Sequence, residues 1–288
     1  MGVDALLGAA PPYPRRVVCL TEETTEVLYR IGAGDRVVGV SGYTVRPKEA
    51  RQKPKVSSFL DADFEKILAL KPELVLGFSD LQAELGRELC KRGVPVFLFN
   101  QRSLAEILQA IRITGALVGL AAEADALAKE LEANLRRHAD AASKLPKRPR
   151  VFFEEWHEPL IAGIRWCSEL VELVGGDDVC ANLRTEQGAK GRIVDATDIA
   201  ARDPEVVIAS WCGRKAQEKL IRARPGWERV SAVKHDQLYE VKSTFILQPG
   251  PAALTDGVDQ LAKIIAAAAH GQTLPRLRPG DLRRADGR

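Results

Sequence analysis

Aromatic residues are scarce in this chain, at 6% of 288 residues, and it holds one methionine and four histidines. The histidines (His138, His157, His235 and His270) are far apart in sequence, which leaves little material for a general base or a histidine metal set. No Gly-x-Ser-x-Gly elbow, no P-loop and no Gly-x-Gly-x-x-Gly after the first apolar run are present. Those absences exclude the usual signatures of serine hydrolases, nucleotide hydrolases and dinucleotide enzymes. The five cysteines are odd in number and include no Cys-x-x-Cys pair. That argues against a disulfide framework or zinc ribbon and for a reducing compartment. No stretch approaches the roughly 18 apolar residues of a membrane span. Net charge is small, +3 from 42 basic and 39 acidic side chains, so nothing points to a nucleic acid or a membrane surface as partner. Residues 5–10 form only a short apolar run with no basic residue before it, so no secretory leader is read there and the expected location is cytoplasmic. A chain shortened at its start would read the same and would belong in the periplasm.

What is present is a well-patterned globular chain, 45% hydrophobic and 28% charged, long enough for two domains. Apolar runs at 16–20, 37–40, 73–77 and 94–99 read as strands. Helical spacing at 21–31, 63–70 and 81–92 lies between them, an alternation that predicts a parallel sheet. Residues 103–145 carry helical periodicity, opening on a Ser103–Glu106 capping pattern. They predict a long connecting helix, or two consecutive helices broken near Gly115 or Gly119. After Pro149 the alternation restarts, with strands at 150–153, 205–209 and 237–241 and helices at 167–174, 199–202, 216–222 and 252–269. The expected division is therefore an N-terminal α/β lobe (15–102), a helical connector (103–145), a C-terminal α/β lobe (149–270) and a basic tail (271–288).

An internal repeat supports that division. Ile67-Leu-Ala-Leu-Lys-Pro-Glu73-Leu-Val-Leu-Gly77 resembles Ile199-Ala-Ala-Arg-Asp-Pro-Glu205-Val-Val-Ile-Ala209. Residues 26–32 resemble 169–175 in the same order. Two matched segments flanking a helix imply duplicated lobes, and a cleft between lobes is a common place for a small ligand. The predicted fold class is α/β, with two Rossmann-like lobes joined by a long helix.

The few aromatics fall at telling positions. Tyr43, Phe78, Trp156, Trp211 and Phe245 each follow a predicted strand, and Phe59 and Trp166 lie in adjoining loops. Clustering at the carboxyl ends of strands suggests a flat apolar wall for a large, rigid ligand. Gln248, in a Gln-Pro-Gly-Pro turn, would present polar groups beside it. Glu154, Glu155, His157 and Glu158 could supply metal ligands, or His157 could touch a metal already held in a ligand. Cys212, followed by Arg214 and Lys215, could be a reactive thiol or a small turn residue.

The sequence resembles the single-long-helix substrate-binding proteins of ABC importers, which take cobalamin and iron siderophores. The resemblance rests on Gly39-Val-Ser-Gly-Tyr43, Val56-Ser-Ser-Phe59, Glu65-Lys-Ile-Leu-Ala-Leu-Lys-Pro-Glu-Leu-Val75 and the segment ending at Gly176. It implies a non-catalytic binder with no catalytic cofactor and a corrinoid as ligand. It also implies Tyr43, Phe59 and Phe78 as first-lobe contacts and Trp156, Trp211 and Phe245 as second-lobe contacts. Glu65 becomes the acid that docks an ABC permease, with a counterpart near Thr197-Asp198. Two other readings compete: binding of a different metal chelate or a metal ion through residues 154–158, and an enzyme that acts on a cofactor precursor through Cys212.

Overall fold

The computed structural model describes residues 12–275, so most of the basic tail lies outside the described residues. The chain forms two compact units, one of Met1–Gln101 with Ala105–Glu130 and one of Arg102–Leu104 with Leu131–Arg288.

The first unit runs β1 (Val17–Cys19), α1 (Glu22–Arg30), β2 (Val37–Ser41), β3 (Lys55–Ser57), α2 (Phe64–Ala69), β4 (Leu74–Phe78), α3 (Ala83–Lys91) and β5 (Val96–Phe99). Its strands pair in the order β3-β2-β1-β4-β5, every pair parallel. Strands covered on both faces need apolar residues throughout rather than alternately, and β1 and β4 are buried along their whole lengths. Val18, Leu20, Val56, Ile67, Val75, Leu89 and Val94 form one core cluster of this unit.

The connector is two helices, α4 (Leu104–Leu117) and α5 (Ala121–Ala142), rather than one continuous rod. Gly119 separates them at φ +73, a left-handed conformation that ends a helix and that glycine adopts without a Cβ penalty. α5 passes from the first unit to the second at Glu130 and Leu131.

The second unit continues with β6 (Arg150–His157), β7 (Leu160–Ala162), α6 (Arg165–Leu173), β8 (Asp177–Asp178), α7 (Ala196–Ala201), β9 (Val206–Ala209), α8 (Glu218–Arg222), α9 (Ser231–Lys234), β10 (Leu238–Glu240), α10 (Ser243–Ile246) and α11 (Val258–Ala269). The sheet order is β10-β9-β6-β7, with β8 also on β6. β7 alone runs antiparallel to its neighbour, as the return arm of a hairpin from β6. The core centres on Phe152, Ile199, Val207, Trp211 and Trp227. Phe152 and Trp227 meet edge to face at 6.2 Å. The last helix starts later than residue 252, behind a π-helical turn at Ala253–Gly257.

The sequence repeat is a repeated hydrogen-bond clamp. Lys71 (φ 47) and Asp203 (φ 45) end the α2 and α7 segments in the left-handed region, and Pro72 and Pro204 prevent continuation. In the first unit Arg16 Nε donates to the Leu70 carbonyl at 2.9 Å, and Glu73 pairs its N–H with the Arg16 carbonyl at 2.8 Å. In the second, Arg150 Nε donates to the Asp203 carbonyl at 2.8 Å, and Glu205 pairs with the Arg150 carbonyl at 2.8 Å. Each arginine satisfies carbonyls that a helix end leaves without partners, so Arg–Pro-Glu recurs because one local problem is solved twice. Among the described residues no helix is long and apolar enough to cross a membrane.

Candidate functional site

In the first unit the carboxyl ends of the parallel strands carry Thr21–Glu23, Tyr43, Phe59 and Phe78. Tyr43 is 54% exposed just past β2, and its N–H donates to the Ser41 hydroxyl at 3.2 Å. The loop that follows is tied to α1 by Arg46, whose guanidinium meets Glu26 at 3.0 Å. Phe59 is half-buried. Phe78 is the last residue of β4 and 7% exposed. It lies inside the strand rather than beyond it and offers little surface, which corrects the expectation of an open contact there.

Gln82 organises this edge. It is fully buried, accepts the Phe78 N–H at 3.0 Å and donates to the Phe59 carbonyl at 2.9 Å. The two aromatic loops are therefore fixed to each other. Gly77 makes room for it, because a Cβ there would lie 2.6 Å from Gln82 Oε1. Leu60 and Leu81, 65% and 59% exposed, add apolar surface to the loops after β3 and β4. Neither was expected from the sequence, since a lone leucine in a loop carries no periodicity signal.

Three polar groups lie at the head of α1. Thr21 Oγ1 donates to Glu23 Oε1 at 2.5 Å. Burial pushes Glu23 up to about 8, helped by the Glu22 charge and opposed by the Thr21 hydrogen bond. Burial likewise pushes Glu22 up to about 7. Removing a carboxylate from water disfavours its charged form, which is the cause in both cases.

In the second unit β6 extends to His157, four residues past the expected end at 153. The sequence 154–158 reads as a solvated acidic loop because nothing local reveals its cations. Glu154 is fully buried and takes both guanidinium nitrogens of Arg224, at 2.8 and 2.7 Å, with Trp211 Nε1 donating at 2.9 Å. Glu155 takes the nearly buried Arg192 at 2.6 and 3.1 Å and the Ile164 N–H at 2.9 Å. Both carboxylates are thus engaged by arginines 37 and 70 residues away, which corrects the metal-ligand reading of Glu154 and Glu155. Among the described residues no group of three His, Cys, Asp or Glu side chains is arranged to hold a metal ion.

The hairpin tip carries the aromatic surface of this unit. The Trp156 and His157 rings lie parallel within 6°, centroids 5.7 Å apart. The Arg214 guanidinium sits 5.7 Å from the Trp156 ring, and the Trp156 N–H donates to the Glu158 carbonyl at 2.8 Å. His157 packs edge-on against Trp211 at 4.4 Å. Trp211 is 1% exposed, so it supports His157 from within the core instead of facing a ligand. Trp166 is also corrected, being 2% exposed in the first turn of α6 with its N–H donating to the Ile246 carbonyl at 2.8 Å. Phe245 in α10 and Gln248 just after it are half-buried. Cys212 is exposed, and the adjacent Gly213 N–H donates to the Ser243 hydroxyl at 3.3 Å. The five cysteines form no disulfide.

A model of a protein family described as periplasmic binding protein matches residues 17–245. The chain belongs to this family. The ABC transporter substrate-binding lipoprotein YvrC of Bacillus subtilis is 28% identical over 88% of this chain and 80% of its own length. A vitamin B12-binding protein of Vibrio parahaemolyticus is 26% identical over 91% of each chain. Among solved structures, the periplasmic vitamin B12-binding protein BtuF of Vibrio cholerae superposes with a TM-score of 0.71 at 25% identity, over 90% of this chain and 99% of that one. A periplasmic heme-binding protein of Pseudomonas aeruginosa superposes at 0.77 with 22% identity, over 92% and 96%; that likeness concerns the fold. Family members of this kind are non-enzymatic ligand carriers that work with ABC transporters. The chain shares their α/β fold, here in two compact units.

Proposed function

We propose that this protein binds a corrinoid reversibly and without chemistry. In the first unit Tyr43 and Phe59 are the candidate contacts; in the second they are Trp156, His157, Phe245 and Gln248. The observations that carry the reading are, in the first unit, an exposed Tyr43 just past β2 and, in the second, a Trp156–His157 stack at the carboxyl end of β6. Flat rings held rigidly in this way offer area at low entropic cost. The vitamin B12-binding relatives support the ligand class. The exposed Glu65, in the first turn of α2 behind the Asp63 cap, is proposed as a docking acid for an ABC permease.

Calorimetric titration of the full chain with cobinamide tests the ligand. Saturable binding supports the reading; no heat at about 100 µM, far weaker than a dedicated carrier, refutes it. A second reading, an iron porphyrin, is favoured by one feature, the half-exposed imidazole of His157 between two indoles. It predicts a shift in hemin absorbance on mixing that disappears in His157→Ala.

A further inference from the structure

The Thr21–Glu22–Glu23 turn takes no part in the aromatic contacts, yet it occupies the most favourable ligand position in the first unit. β1 is the central strand, with β2 on one side and β4 on the other. The chain leaves β1 for β2 and later returns to the opposite side. In open parallel sheets the crevice outside such a strand is where ligands bind.

Two observations single this turn out. The first is that Glu23 is 3% exposed and its Oε2 meets no hydrogen-bond partner, although Oε1 is taken by Thr21. An orphaned buried oxygen costs the free energy of its lost hydration, and native structures seldom keep one without a use. The second is that the loop after the neighbouring strand β2 also holds an orphan, Thr44 Oγ1, in a residue 3% exposed and next to Tyr43. The carboxyl edge of adjacent strands thus carries two unmet polar atoms beside the aromatic surface. Half-buried Glu22 adds a second carboxyl at the rim.

We infer that Glu23, oriented by Thr21, is a specificity-determining residue that selects a ligand edged with carboxamides over one edged with carboxylates. This rests on the corrinoid reading and narrows it. A primary amide N–H, brought against the turn as a ligand seats, is the donor that this buried oxygen lacks. A ligand carboxylate has no N–H to give that oxygen, and in a poorly solvated place it would lose its own hydration without a matching return. Burial also holds the Glu23 carboxyl in its neutral form near pH 7. A neutral acid both gives and accepts a hydrogen bond, as a primary amide does.

The test compares two probes that share a ring. Cobinamide carries amide side chains; cobyrinic acid carries carboxylates at the same positions. Titrations of the full chain at pH 7 are expected to show cobinamide binding at least about 10-fold tighter, the scale of one or two hydrogen bonds. Glu23→Met should bring the ratio close to one, and Glu23→Gln, which still gives and accepts, should keep it. Equal affinity of the wild type for the two probes overturns the inference, whatever the fold of the methionine variant. So does an unchanged ratio in a folded Glu23→Met. Binding of hemin, whose edge carries two carboxylates, with neither corrinoid bound overturns the selection but leaves a ligand carrier. Failure to bind any of the three overturns the function reading as well.

Discussion

Replacing Arg224 by methionine removes the only cation that pairs with Glu154 in the described structure and keeps most of the side-chain volume. Glu154 is fully buried and Arg224 is 11% exposed, so solvent cannot stand in for the lost guanidinium. Glu154 would keep one partner, the Trp211 N–H at 2.9 Å. Breaking a buried pair from one side costs about 3–5 kcal/mol, because it strands an uncompensated charge. In a unit of this size that corresponds to a fall of about 10 °C in Tm. The double variant Glu154→Leu/Arg224→Met removes both charges and should recover much of the loss, since a buried ion pair replaced by apolar groups is often close to neutral. Thermal melts followed by circular dichroism, at several scan rates, give the three values. The reasoning is refuted if Arg224→Met melts within 2 °C of the wild type, or if the double variant is less stable than the single one. In the double variant Trp211 also loses its anchor on Glu154, and with it the support beneath His157.

Three further expectations follow from single sites. Tyr43→Ala and Trp156→Ala should each weaken cobinamide binding by about 10-fold while leaving Tm nearly unchanged, because the removed rings are exposed or half-exposed; calorimetry beside a melt separates the two effects. Gly77→Ala should destabilise the first unit by about 1–3 kcal/mol by overpacking against Gln82, and limited proteolysis should then cut near Phe59. Glu23 is held up near 8 against an ordinary carboxyl near 4.5, so the folded protein grips that proton more tightly than the unfolded chain. Its contribution is full below about pH 4.5 and is lost as pH rises through about 8. Denaturant melts should therefore show stability falling across that window, and a Glu23→Gln variant that falls as steeply would contradict the assignment.

Much of the fold was legible because it depends on local chemistry. Apolar runs without alternation marked β1, β4 and β9, and glycine or proline closed the helices between them. Pro72 and Pro204, each before a glutamate, showed the duplication. What they could not show was the clamp, because Arg16 and Arg150 lie more than fifty residues from the carbonyls they satisfy. The same limitation hid the end of β6. Two glutamates and a histidine read as a solvated loop until Arg192 and Arg224 fold onto them. Short edge pieces such as β3 and β8 carry too few residues for a period to register.

The candidate site was half legible. Position relative to strand ends put Tyr43, Phe59 and Trp156 at the edges of their sheets, because topology alone places such residues there. It did not separate a ring facing outward from one turned into the core, as Trp166, Trp211 and Phe78 are. Tryptophan N–H groups that find buried acceptors, Glu154 and the Ile246 carbonyl, decide that difference. Gln82 gave no signal in the sequence, since its role lies in two hydrogen bonds to backbone groups on separate loops.

The most direct test of the central claim is native mass spectrometry of the full chain mixed with equimolar cobinamide and hemin. The account predicts a single mass shift equal to one cobinamide, with the protein otherwise unmodified. A shift equal to hemin alone, or no shift with either at about 100 µM, would contradict it.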